Sequence, residues 1–273
     1  MFNTPHLVDC HLHLQDPVLA AELPAVLDRA RAGGVRRLVC NGTSEADWPR
    51  VAELAKAHPQ VVACFGLHPW YAAGRSGRWL ENLKQFLDAM PSGVGEIGLD
   101  RWIEPRDESA QEEVFRAQLG LARERGRPVM IHCLWAWGWL MDVLEDEEPL
   151  GAGMLIHAYG GSVDLIKPLA ARGAYFSFAG NVLEERKAKG REALRAVPLD
   201  RLLVETDSPD MLPPGAYRRF SIRAADGKEY NEPGNLPEVL RGIAQVRGES
   251  EERLAEVIWG NAERLLGGVV HEG

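Results

Sequence analysis

The sequence predicts one (β/α)8 barrel, a TIM barrel, formed as a single domain over residues 1–273. Short apolar runs recur eight times along the chain, amphipathic stretches separate them, and no linker or low-complexity tract interrupts the alternation. Most runs are continuous rather than alternating, which suits parallel strands covered on both faces. A doubly wound open sheet is the alternative, and no G-x-G-x-x-G follows the first strand to support it.

The expected strands are His6 to His13, Val35 to Asn41, Val61 to Leu67, Gly93 to Leu99, Pro128 to His132, Gly153 to His157, Ala174 to Phe178 and Arg201 to Glu205. The first helix, Pro17 to Arg31, carries Leu19, Leu23, Val26, Leu27 and Ala30 on one face and stops at Gly33-Gly34. Asp47 to Ala57 and Trp79 to Met90 follow. Ser109 stands three residues before Glu112, a capping-box spacing that opens a helix running to Arg125 and ending at Gly126. Further helices are expected at Ala136 to Glu145, Val163 to Ala171, Glu184 to Val197 and Leu236 to Val246, with two short ones, Glu251 to Ile258 and Ala262 to Leu266, closing the chain. The longest irregular stretch, Ser208 to Pro233, follows the last strand and would lie over the mouth of the barrel.

Composition sets bounds on function. The net charge of −9 runs against a broad nucleic-acid-gripping surface, although it leaves room for local phosphate chemistry. No apolar run approaches the roughly 20 residues that span a bilayer, and the start of the chain lacks a basic segment followed by an apolar core. The cytoplasm is the expected location. Cys10, Cys40, Cys64 and Cys133 form no C-x-x-C pair and are expected as reduced, buried thiols.

His11 and His13 sit two residues apart on the first strand, so both side chains face one way, and converging imidazoles make half of a metal site. Taken alone, the pair reads equally well as hydrogen-bonded structural histidines. The balance shifts at the other strand ends: Glu96 on the fourth strand, His132 ending the fifth, His157 the sixth and Asp207 after the eighth. Closing a barrel brings these ends around one mouth. Unpaired, each such group would cost several kcal/mol to bury, on the order of a lost hydrogen bond or more; a bound metal removes that cost. Asp9, at i−2 from His11, should lie on the same face, deeper in the barrel, where its carboxylate can orient a ligand.

The ordered segments Asp9 to His13, Gly66-Leu67-His68-Pro69, Gly95 to Asp100, Ile131-His132, His157 to Gly161, Glu205 to Pro209 and Asn231-Glu232-Pro233 resemble the TatD-related metal-dependent hydrolases from about Val8 to Asn261. The resemblance implies an amidohydrolase-type TIM barrel with a two-metal site at the C-terminal mouth. It implies that His11, His13, Glu96 and Asp207 hold one ion and that Glu96, His132 and His157 hold the other, with Glu96 bridging. Two divalent ions, about 3.5–4 Å apart in such sites, activate a water and stabilise developing charge. Asp207 is the candidate general base because it can touch both metal and water, and Glu96 is the second catalytic carboxylate. Zn, Mn, Co and Ni suit the imidazole-rich set, and Mg is admitted by the carboxylates.

The resemblance implies phosphodiester hydrolysis, a DNase trimming single-stranded ends. The family tends to place Arg two residues after the fifth-strand His and just before N-E-P, where this chain has Leu134 and Tyr230. Phosphate contacts would then move to Arg218, Arg219, Arg223 or Lys228 of the long loop, unless that loop is simply a solvated basic segment. His68 either contacts a phosphate or leaving-group oxygen or anchors the turn before Pro69. Trp70, Trp102, Trp135, Trp137 and Tyr159 all follow strand ends; they either pack beneath the loops or offer a stacking surface, with Trp135 and Tyr159 the named substrate contacts. Trp135, Trp137 and Trp139 could instead form a subunit contact, although no obligatory protein partner is evident. A two-metal hydrolase of a neutral ester, lactone or amide is the alternative function, and a non-catalytic interaction barrel the third. His6, His58 and His271 are expected to be structural.

Overall fold

Strand formation follows the apolar runs closely in the computed structural model, which describes residues 6–269; His271 lies outside them. Eight strands lie side by side in chain order and pair in parallel: β1 (Leu7–Leu12), β2 (Val35–Asn41), β3 (Val61–Phe65), β4 (Gly93–Asp100), β5 (Val129–Leu134), β6 (Met154–Ile156), β7 (Ala174–Phe178) and β8 (Leu202–Val204). Representative registers are Leu38 opposite Val61 and Val129 opposite Met154. Val8, Val39, Ile97, Ile131, Leu155, Phe176 and Leu203 are fully buried along them. Each such side chain contributes about 1.5–3 kcal/mol relative to exposure.

The seam between β1 and β8 closes differently from the other seven joins. At the C-terminal end of β1, the Asp207 amide donates to the His11 carbonyl at 3.0 Å and the His13 amide to the Ser208 carbonyl at 2.8 Å. Deeper in the barrel, Asp9 accepts from the Thr206 amide at 2.9 Å and from the Thr206 hydroxyl at 2.5 Å. Asp9 thus reaches across the seam to the residue beside Asp207 rather than to an imidazole ring. Burial pushes its carboxyl up to about 7, against the two Thr206 bonds.

The helices follow expectation with instructive exceptions. The first divides into α1 (Pro17–Ala20) and α2 (Leu23–Ala32). α3 (Trp48–Ala57) and α4 (Trp79–Ala89) keep their expected places, and α5 spans Glu108–Arg125. Its cap is Asp107, whose side chain accepts from the Ala110 amide at 2.9 Å, so Ser109 lies inside the helix. Glu112 is drawn away from the capping role by Trp139 Nε1 at 2.7 Å and Arg116 Nε at 2.8 Å. α6 (Trp137–Asp146), α7 (Val163–Ala171), α8 (Ala188–Ala196) and α9 (Leu236–Arg247) continue around the barrel. The two closing helices are one, α10 (Glu251–Leu266). Asn261, at the expected break, instead ties the helix to the sheet by donating to the Leu199 and Leu202 carbonyls at 2.8 and 2.7 Å.

The long stretch after β8 carries short elements of its own. It folds a short hairpin, β9 (Ile222–Arg223) with β10 (Glu229–Tyr230), and is pinned by the Asn231-Glu232-Pro233 segment. Asn231 donates to the Thr206 carbonyl at 2.8 Å, and buried Glu232 takes Arg29 Nε at 2.7 Å. All four cysteines are free and buried. Among the described residues no helix is long and apolar enough to cross a membrane.

Candidate metal centre

The structure brings His11, His13, Glu96, His132, His157 and Asp207 to one end of the barrel, where with His68 most of them line the floor of an open cavity of about 580 Å³. Glu96 is the hub. Its Oε2 lies 3.4 Å from His11 Nε2 and 3.4 Å from His13 Nε2. Asp207 Oδ1 closes the same group, 3.7 and 3.6 Å from those nitrogens. The other oxygen, Oε1, faces His157 Nε2 at 2.8 Å, His132 Nδ1 at 3.1 Å and His68 Nε2 at 3.4 Å. One carboxylate therefore presents each of its oxygens to a separate cluster.

Outer partners fix which nitrogen faces inward for His13 and His132. His13 Nδ1 lies 2.8 Å from the Asn41 carbonyl, so it carries the proton and leaves the Nε2 lone pair free. His132 is reversed: its Nε2 is 2.7 Å from Asp100 Oδ2, and Nδ1 points inward. His157 Nδ1 faces Glu205 Oε1 at 3.6 Å. Glu205 is itself held by the Ala158 amide at 2.8 Å and by the Ser177 hydroxyl. Asp100 and Glu205 stand within motifs evident in the sequence, yet their orienting contacts were not anticipated there. The available signal was parity: Asp100 is i+4 from Glu96 on β4, and Glu205 is i−2 from Asp207.

A divalent cation fits this arrangement. His11 is wholly buried with neither ring nitrogen hydrogen-bonded, and its ring stacks on His157 with centroids 3.9 Å apart. Two stacked imidazoles cannot both be charged without repulsion, and burial pushes His11 down to about 4, keeping its lone pair. Burial raises Asp207 well above the usual carboxylate range, and the like charges of Glu205 and Glu96 add to it. A cation between Glu96 and Asp207 would relieve both burdens. Asp207 also sits at φ 52°, a left-handed backbone that turns its side chain into the cavity.

One backbone contact makes the cluster possible. Gly98, at φ 147°, lies so close to β5 that a Cβ there would collide with the His132 carbonyl. Glycine alone lets β4 and β5 approach this tightly.

The comparisons with known proteins agree with this geometry. The family model described as TatD related DNase matches residues 8–267. The chain belongs to the TatD-related DNase family. It is 34% identical over 263 residues to the 3'-5' ssDNA/RNA exonuclease TatD of Pantoea vagans, covering 95% of this chain and 99% of that one. It is 30% identical to the uncharacterized metal-dependent hydrolase YabD of Bacillus subtilis, with 95% and 98% covered. The crystal structure of YJJV, a TatD homolog from Escherichia coli K12, superposes with a TM-score of 0.87 at 27% identity, covering 96% of this chain and 98% of that one.

Around the TatD-family centre, the remaining sequence candidates separate. His68 anchors the turn, its Nδ1 accepting from the Trp70 amide at 3.2 Å, while Nε2 faces Glu96. Tyr159, expected at the mouth, is instead only 2% exposed. Ala158, at φ 43°, turns the chain so that the Tyr159 ring packs on Trp137, Phe176 and Phe178, and its hydroxyl donates to the Ser162 carbonyl at 2.7 Å. Trp135 is 66% exposed and, like Arg223, is not among the residues lining the cavity. The hairpin's charges are turned on one another. Arg223 Nη2 and Arg218 Nη1 contact Glu229 at 3.2 and 3.1 Å, and Lys228 lies over Tyr230 at 4.4 Å. Leu134 lines the cavity. Of the aromatic set, Trp70 and Trp102 do reach the cavity.

Proposed function

We propose that this protein is a metal-dependent phosphodiesterase that removes nucleotides from the 3′ end of single-stranded DNA or RNA, using two divalent ions. The observation behind this reading is the division of Glu96, with Oε2 toward His11, His13 and Asp207 and Oε1 toward His132 and His157. Such ions supply Lewis-acid stabilisation of the phosphoryl oxygens and lower the pKa of an attacking water. The chain's own residues do the rest. Glu96, buried among them, is held well below the usual carboxylate range by the imidazoles of His68, His157 and His11 against the effect of burial, an attraction that bound cations would take over. With the ions bound, His13 and His132 would present their inward nitrogens as ligands because Asn41 and Asp100 take the opposite ring nitrogens, and His157 Nδ1 stands 3.6 Å from Glu205. Asp207 accepts the proton of the attacking water, and Asp9 fixes its position through Thr206.

The test is direct. Protein dialysed against EDTA and reloaded with Mg, Mn, Co, Ni or Zn is given 5′-labelled single strands. Stepwise shortening from the 3′ end that requires metal is expected. Intact strands in every metal, beside turnover of a lactone, amide or simple ester, would overturn the reading. That outcome would favour the second reading, a hydrolase of neutral esters or amides, which draws on Leu134 in the cavity wall.

A further inference from the structure

We propose that Trp70 and Trp102 form a stacking subsite for an unpaired nucleobase near the scissile phosphate; this rests on the nucleic-acid reading above. Both indoles line the cavity that contains Glu96 and His132. They are 44% and 50% exposed, whereas Trp48 is completely buried and Trp79 nearly so. Their ring centroids are 5.9 Å apart with planes 32° from parallel, so the two indoles are in contact and both open to the cavity.

One carboxylate ties that surface to the metal centre. Asp100 Oδ2 accepts from Trp70 Nε1 at 2.9 Å and also faces His132 Nε2 at 2.7 Å. Asp100 Oδ1 accepts from the Trp102 and Ile103 amides at 2.6 and 3.0 Å. Asp100 is fully buried, so these bonds are not shared with solvent. A base lying on the indoles is therefore held at a fixed distance from His132.

Charge excludes the usual alternative. The residues lining this cavity include Asp16, Asp47 and Asp210 and no Lys or Arg. Of the loop arginines, Arg218 and Arg223 are engaged with Glu229, and Arg219 lies over the Phe220 ring. Away from the cations that the histidine and carboxylate clusters would hold, a polyanion gains little from such a wall, so contacts beyond the scissile phosphate fall to the bases. Stacking serves every base because each has a π face, and it needs that face uncovered, which selects unpaired ends over duplex.

Trp102 gives the clean test, because its backbone amide, not its indole, serves Asp100. Binding of 5′-fluorescein single strands is read by anisotropy in EDTA, where no cutting occurs, and kcat/KM is read with metal restored. Strands either are complete or carry abasic sugars at the last two 3′ positions. For wild type, removing those bases is expected to weaken binding about tenfold or more. Trp102→Ala should weaken the complete strand by a similar factor and add little on the abasic strand, whereas Trp102→Phe should retain most of the affinity. Equal losses for Trp102→Ala on both strands, or no loss on either, would overturn the subsite while wild-type cutting leaves the nuclease reading intact. Wild-type protein that cuts no strand overturns the nuclease reading and the subsite together. Unchanged thermal unfolding of both variants shows that the fold is not at issue.

Discussion

The wall formed by β3, β4 and β5 lines the mouth and the hairpin after β8 stands outside that lining, and the two use their residues in opposite ways. On the wall, polar groups face inward and are shared: Asp100 serves Trp70, Trp102 and His132 at once. In the hairpin, Arg218 and Arg223 converge on Glu229, an exposed arrangement worth little to stability. A run of arginines in sequence signals a phosphate site only if no carboxylate is nearer than the substrate. An Asp among tryptophans looks unremarkable in sequence and becomes central when a neighbouring strand delivers a histidine to it.

The comparison can be broken in several places. The largest effect should come from Glu96→Ala, which removes the carboxylate facing both clusters. Activity is expected to fall on the order of 10³-fold or more, with bound metal, measured by elemental analysis, reduced as well. Retained metal and activity would mean that the wall is not organised around Glu96. Next is Asp100→Ala, which frees the His132 ring and the Trp70 indole together. A 10- to 100-fold loss in metal affinity is expected, roughly the cost of losing an outer partner of a metal-binding imidazole, and calorimetric metal titration reads it. Tyr159→Phe deletes the bond to the Ser162 carbonyl and should destabilise by about 0.5–1.5 kcal/mol in urea unfolding without altering KM. A changed KM would return Tyr159 to the mouth. Smallest is Arg223→Ala, expected to change kcat/KM less than about threefold and stability by under about 0.5 kcal/mol. A tenfold loss on single strands would show that the hairpin arginine reaches phosphate and that the contrast drawn here is false.

Much of the frame is legible in the chain because continuous apolar runs and strand parity are local properties. His11 and His13 share a face by spacing alone, and β-α alternation carries Glu96, His132, His157 and Asp207 to one rim. What escapes local reading depends on partners far away in sequence. The helix cap passes to Asp107 because Trp139 and Arg116 occupy Glu112. α10 runs through Gly260 because Asn261 finds two carbonyls on the approach to β8. Tyr159 turns into the core because Ala158 leaves extended geometry, a change that strand parity cannot foresee. Asp100 and Glu205 acquire their places only when β5 and β6 present imidazoles to them.

The seam closed by Asp9 and Thr206 also dictates an order of events in the living chain. These two residues are separated by 197 positions, so a ribosome exposes His11 and His13 long before it makes Asp207. Until β8 docks, the two imidazoles face a gap, and an ion meeting them finds only part of its shell. A cation at His11, His13 and Asp207 would therefore find all three groups only after nearly the whole barrel is made. Any truncation that removes the last strand would take Asp207 from the cluster as well as Thr206 from the seam.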